Sequence, residues 1–121
     1  MKKILFLILT IYCSASAAWT VYAENDERIM SVELSSVRKD GDTRTFWLMN
    51  DYKQISPYGD LSARTKVVFD CKKEMKKILD FATFSQRNLG GAVTSTLTPV
   101  SKWEHIPPST YDYLLIDVVC K

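Results

Sequence analysis

Apolar and polar residues alternate in short runs along most of the chain, and each run ends at residues that favour turns. Trp19 to Glu24 (WTVYAE) alternates large apolar with small or polar residues, and Asn25-Asp26-Glu27 then supplies a turn. Arg28 to Leu34 places Met30, Val32 and Leu34 on one face and Ser31 and Glu33 on the other, the pattern of a half-buried strand. After the turn signal Lys39-Asp40-Gly41-Asp42, Thr43 to Tyr52 (TRTFWLMNDY) is rich in the aromatic residues that fit a pleated surface. Lys53 to Leu61 holds Pro57 and Gly59 and reads as a loop. Ala63 to Cys71 resumes the alternation, with Thr65, Val67, Phe69 and Cys71 on one face. These runs predict successive antiparallel hairpins.

Two later segments carry competing periods. In KKEMKKILDFATFS, the positions Met75, Ile78, Leu79 and Ala82 recur at helical spacing, whereas Ile78 to Phe84 alternates and is rich in Phe and Thr. The strand reading is preferred, with a hairpin turning near Lys72 to Glu74. Gly90-Gly91 interrupts the pattern, and Ala92 to Thr98 (AVTSTLT) reads as a sixth, more polar strand at a sheet edge. Pro107-Pro108 cannot continue a sheet. Ser109 then offers an N-cap with Asp112 at the third helical position, a capping-box arrangement. Tyr111, Leu114, Leu115, Val118 and Val119 follow as one apolar stripe. The β-branched Ile116, Val118 and Val119 argue for a strand instead, but the cap favours a helix. At about ten residues it depends on tertiary packing to persist. The fold class expected is therefore α+β, an antiparallel sheet of about six strands with a short C-terminal helix.

The first residues follow another logic. Lys2 and Lys3 precede an apolar run from Ile4 to Tyr12, and small residues then end in Ala15-Ser16-Ala17. This is the layout of a secretory signal peptide, with cleavage between Ala17 and Ala18 or one residue later, before Trp19. Residues 1–17 are thus the expected signal peptide, and residues 18–121 a single exported domain, periplasmic or secreted. Lipidation at Cys13 is a rival reading, disfavoured because Ile11 and Tyr12 stand where small residues are required. The apolar run is shorter than the roughly 20 residues that span a bilayer, and no later segment is apolar enough.

Cleavage changes the charge and cysteine counts. The 121-residue chain has 16 basic and 14 acidic residues, and loss of Lys2 and Lys3 leaves 14 against 14. A neutral domain lacks the basic excess on which general nucleic-acid binding depends. Loss of Cys13 leaves the pair Cys71 and Cys120, which in an exported domain reads as one disulfide. Export disfavours free thiols, and the spacing disfavours a CxxC redox role.

Candidate chemistry is sparse. His105 is the sole histidine and stands beside Glu104, with no nucleophile or further ligands at useful spacing. No catalytic residues, metal or cofactor are expected. Lys72, Lys73, Lys76 and Lys77 form the one local basic cluster, a candidate contact for sulfated glycan, anionic lipid or an acidic protein patch. A solvated turn beside a hydrophobic strand is the plainer account of it. Trp47, Tyr52 and Tyr58 are candidates for a binding surface, although core packing suits Trp47 better. Gly90-Gly91 matches no phosphate loop, and the chain has no repeat or low-complexity segment.

Taken together, the opening Trp19, the stretch VELSSVRKDGDTRTFW, SARTKVVFDC, FATFSQRNLGG and the ending W-x3-PPS-x10-C resemble the bacterial surface-adhesin E family. The resemblance covers Trp19 to Cys120 and rests on the combined order of the parts. It implies a curved antiparallel sheet with a C-terminal helix on its concave face, tied to the sheet by a disulfide between Cys71 and Cys120. It further implies a non-catalytic protein that binds host extracellular-matrix and serum proteins such as vitronectin, laminin and plasminogen, and that can form homodimers. The chain departs from the family's adhesin in lacking a lipidation box. A structural or inhibitory module acting on an envelope protein of the periplasm is the alternative function.

Overall fold

A computed structural model describes residues 18–98 and 101–121. The expected signal peptide, with Cys13 and Ala17, lies outside these residues, and Ala18 is exposed just ahead of the first strand. Eight strands follow in chain order: β1 (Trp19–Glu24), β2 (Arg28–Glu33), β3 (Arg38–Asp40), β4 (Thr43–Tyr52), β5 (Ser62–Asp70), β6 (Met75–Phe84), β7 (Val93–Leu97) and β8 (Glu104–His105). One helix, α1 (Tyr111–Val119), closes the chain. The strands form one antiparallel sheet in the order β1-β2-β4-β5-β6-β7, with β3 beside β4 and β8 beside β6. The class is α+β, as the sequence pattern predicts. The two strands beyond the expected six are β3 and β8, of three and two residues, too short to show a period.

The ambiguous segment from Met75 to Phe84 is a strand. It pairs with β5 from Asp70↔Met75 to Ser62↔Phe84, across a turn in which the Asp70 carboxylate accepts the amides of Lys72 and Lys73 at 3.1 and 2.9 Å. Short polar side chains that bond the backbone two and three residues on nucleate such turns. Among the described residues strand β7 pairs only with β6, and all five of its residues are exposed, as suits an edge strand.

Alternation along β4 gives the sheet two distinct faces. Arg44, Phe46 and Leu48 point to one side, opposite Phe69, Val67 and Thr65 of β5, and Thr45, Trp47 and Met49 point to the other. The helix packs on the first side, where Val32, Phe46, Leu48, Val67 and Phe69 meet Ile106, Leu115 and Val119 in one buried cluster. Phe46 and Phe69 meet edge to face at 4.9 Å between centroids. Leu34 does not extend the β2 stripe as expected. It begins a 3-10 turn, Leu34–Ser36, and its side chain is exposed, because the chain leaves the sheet there to reach β3.

The C-terminal segment is a helix, but it starts and faces differently from the sequence reading. Its N-cap is Thr110, not Ser109, and no side chain caps it, since the Thr110 hydroxyl donates to the Pro107 carbonyl at 2.7 Å. The expected capping box is absent because Asp112 is bonded to Lys76 instead. The buried positions are Leu115 and Val119, flanked by Ile116 and Cys120, while Tyr111, Leu114 and Val118 are exposed. The sheet-facing stripe is therefore one residue further along than expected, a rotation of about 100°. Asp112 and Cys120 share a helix face, and each is tied to the sheet, one by an ion pair and the other covalently. These two attachments orient the helix.

The disulfide joins Cys71, at the end of the β5 hairpin, to Cys120, with the Cα atoms 5.7 Å apart. Arg44 supports the same end. It is buried, and its guanidinium donates to the carbonyls of Val119 at 3.2 Å and of Gly41 and Thr43 at 2.9 Å each. A cation on a last-turn carbonyl stabilises a helix C-terminus.

Candidate functional site

The four lysines of the basic cluster do not form one surface. Lys72 and Lys73 are exposed on the β5–β6 turn. Strand alternation sends Lys76 and Lys77 to opposite faces, since Lys76 pairs with Phe69 and Lys77 with Val68. On the helix side, Lys76 is bonded to Asp112 and lies 3.8 Å from Glu104, so its charge is already matched. Lys77 points to the face that the helix leaves open. Adjacency in sequence could not reveal this division, because in a strand it means opposite directions.

That open face carries the second feature, built from cross-strand rows. One row contains Arg38, Thr45, Val68 and Lys77; the next contains Trp47, Lys66 and Asp80; a third contains Ser31, Met49, Arg64 and Ala82. The Arg64 guanidinium lies 4.9 Å from the Trp47 ring centroid and 5.7 Å from that of Phe84, and the Lys66 ammonium lies 5.6 Å from Trp47. Each distance is within the range of cation–π attraction. Met49 and Ala82, in the row of Arg64, are only 4% and 2% exposed although the helix packs on the other side. Arg64, their cross-strand neighbour, has a long apolar stem suited to covering them. Arg64 Nε is buried without a hydrogen-bond partner, and among the described residues no carboxylate lies within 4 Å of Arg38, Arg64, Lys66 or Lys77. Between this row and the 3-10 turn lies a groove of about 500 Å³, lined by Ser35, Ser36, Arg38, Thr45, Trp47 and Lys66, with Asp40 and Phe46 completing its wall.

Trp47 is thus half-buried on the open face and not part of the helix-side core, contrary to the preferred sequence reading. The signal was present in TRTFWLMNDY. Phe46 and Leu48 alternate with Trp47 and Met49, so both faces of that strand are apolar, and a second covered or contacting face follows. Arg64 and Lys66 were missed because only the register with β4 puts them beside Trp47.

Tyr52 and Tyr58 belong elsewhere. They line a hollow of about 460 Å³ on the helix side, with Asp60, Phe81, Thr83 and Thr94. Tyr58 stands 87% exposed at the tip of a turn in which Ser56 Oγ accepts the amides of Tyr58 and Asp60. Burial raises the Tyr52 phenol above its ordinary range, an effect that nearby Arg28 opposes and Asp60 adds to. Under the helix, burial and then the Asp112 carboxylate push the Tyr22 phenol up further, against Arg28. Both phenols are therefore neutral at neutral pH. His105 lies exposed on β8, and among the described residues no three His, Cys, Asp or Glu side chains converge on a metal site.

Comparison with known proteins agrees with this architecture. Two solved structures of Haemophilus influenzae protein E superpose on the chain. The first has a TM-score of 0.61 at 13% identity over 87% of this chain and 85% of that one. The other, a second crystal form, has a TM-score of 0.57 at 13% identity over 82% and 91%. At that identity the likeness is one of fold. No curated protein matches the sequence significantly. The profile of surface-adhesin protein E matches residues 19–121, nearly the whole described chain, and the protein therefore belongs to the surface-adhesin protein E family.

Proposed function

We propose that this protein is an exported, non-catalytic binding module that attaches to a protein partner through the helix-free face. The observation that carries the reading is the cluster Arg64–Trp47–Lys66, an aromatic side chain flanked by cations with no carboxylate within 4 Å among the described residues. Aromatic and arginine side chains on a rigid sheet are the usual anchors of protein contacts. Family membership supports a protein partner, for which host extracellular-matrix or serum proteins are the class we assign, and the leader pattern supports export after cleavage between Ala17 and Ala18. The mature module is residues 18–121. Lys72 and Lys73 on the β5–β6 turn form the competing contact.

The test is binding of the mature chain to immobilised vitronectin, laminin and plasminogen, with cell fractionation alongside. Trp47→Ala is expected to weaken binding at least about tenfold. The charge reversals Lys72→Glu and Lys73→Glu together are expected to change it less than about threefold. Loss on reversing the turn lysines alone would move the contact there. A purely periplasmic protein that binds none of the three would favour an envelope partner, and light scattering on the same samples reads homodimers.

A further inference from the structure

We infer that the ligand chemistry of the helix-free face is an acidic polysaccharide, a chain bearing carboxylate or sulfate groups. The inference rests on the binding-module reading of that face and goes further by adding a second ligand class, a glycan held by the same side chains, to the protein partner proposed above. Residues 18–121 carry equal numbers of basic and acidic side chains, yet the charges are unevenly placed. Arg38, Lys77, Lys66 and Arg64 occupy three successive cross-strand rows that hold one acid, Asp80, and a second, Asp40, stands beside Arg38 on the groove wall, so cations outnumber acids four to two. The Asp80 carboxylate accepts a hydrogen bond from the Thr98 hydroxyl at 2.9 Å and keeps its charge. From strand spacing, the four cations span about 14 Å across the strands and about 13 Å along them. A molecule with balanced charges thus carries an excess of cations on this one face, which attracts anions spaced along a chain.

Three features favour a saccharide over an acidic peptide. An extended peptide gains affinity by pairing its backbone with a sheet edge. Trp47, Lys66 and Arg64 stand on β4 and β5, interior strands paired on both sides, so around the indole only side chains are available, and the free edge nearby, β3, is three residues long. Trp47 stands among the cations and gives an apolar surface to the C–H face of a pyranose ring, as the groove hydroxyls of Ser35 and Thr45 give partners to sugar hydroxyls. Finally, Arg64 and Lys66 are held against the indole, so less side-chain freedom is lost when an anion binds.

The experiment uses the mature protein with its disulfide intact, in calorimetric titrations against a heparin fragment, hyaluronan, neutral dextran, poly-glutamate and a single-stranded oligonucleotide. Heparin carries sulfate and carboxylate, and hyaluronan carboxylate alone, so the pair distinguishes the anion. Expected are binding to heparin, hyaluronan or both, none to dextran, and steep weakening with added salt. Arg38→Gln with Lys66→Gln should weaken binding about tenfold or more, while Lys72→Gln with Lys73→Gln should change it less than about twofold. Lys66→Gln alone is the second variant should the pair fail to fold, and an unchanged thermal midpoint certifies each. Equal loss from the turn pair would overturn the inference, as would preference for poly-glutamate or the oligonucleotide. Failure to bind either acidic glycan, with Trp47-dependent protein binding intact, would overturn this inference and leave the binding-module reading standing. Failure of both would overturn both.

Discussion

Removing the tether with Cys71→Ala and Cys120→Ala together isolates what holds α1 to the sheet. The two cysteines are 49 residues apart, and closing a loop of that length lowers the entropy of the unfolded chain enough to stabilise the fold by about 4 kcal/mol. That is a large share of the roughly 5–15 kcal/mol typical of a domain. With a urea slope of about 2 kcal/mol/M, the unfolding midpoint should fall by about 2 M. The loss should not be uniform. Without the disulfide, α1 is held by Leu115 and Val119, each worth about 1.5–3 kcal/mol on full burial, by the Lys76–Asp112 pair and by the bond from Arg44 to the Val119 carbonyl. A helix of nine residues is marginal by itself, so it should open before the sheet does. Urea denaturation followed by circular dichroism gives the midpoint, and amide hydrogen exchange separates helix from sheet. The α1 amides should lose protection while those of β4 and β5 remain the slowest. A midpoint shift under about 0.5 M, or α1 amides as protected as in the parent protein, would refute the reasoning.

Three further outcomes follow from the same contacts. Arg44→Met keeps the buried stem but leaves the carbonyls of Val119, Gly41 and Thr43 without their donor, and should cost about 2–3 kcal/mol by urea denaturation. Gly91→Ala should destabilise the β6–β7 hairpin, because Gly91 has φ +72° and an added Cβ would collide with Ser85 Oγ; a lowered thermal midpoint checks it. Tyr22 has a folded pKa raised above the ordinary 10.0, so its contribution is complete below pH 10 and is lost as pH rises from there through the folded value. Stability should accordingly fall above pH 10 with a slope of up to about 1.4 kcal/mol per pH unit from this group, and Tyr22→Phe should remove that part of the slope.

Local pattern was a sound guide wherever one period dominated. The alternation in Thr43 to Tyr52 and Ala63 to Cys71, the turn residues between hairpins and the polar edge strand near Val93 were all legible, because a two-residue period and turn chemistry are properties of the chain itself. So was the pairing of Cys71 with Cys120, which needed only the count of cysteines and an oxidising destination. The C-terminal segment was legible as a helix but not in its orientation. Its apolar residues ring most of the cylinder, so the stripe that faces the sheet was decided by the attachments at Asp112 and Cys120.

The candidate site belongs almost wholly to tertiary structure. Four lysines close together in sequence were divided among a turn and two faces, because neighbouring strand residues point apart. Trp47 and Arg64, seventeen positions apart, were brought into contact by the register of β4 on β5, as were Trp47 and Lys66. The sequence by itself determined that this is a small sheet protein closed by a helix and a disulfide, since periodicity, turns and cysteine number are local quantities. Only the tertiary structure decided which face is left open and which charges stand together on it, since both depend on pairing between distant segments.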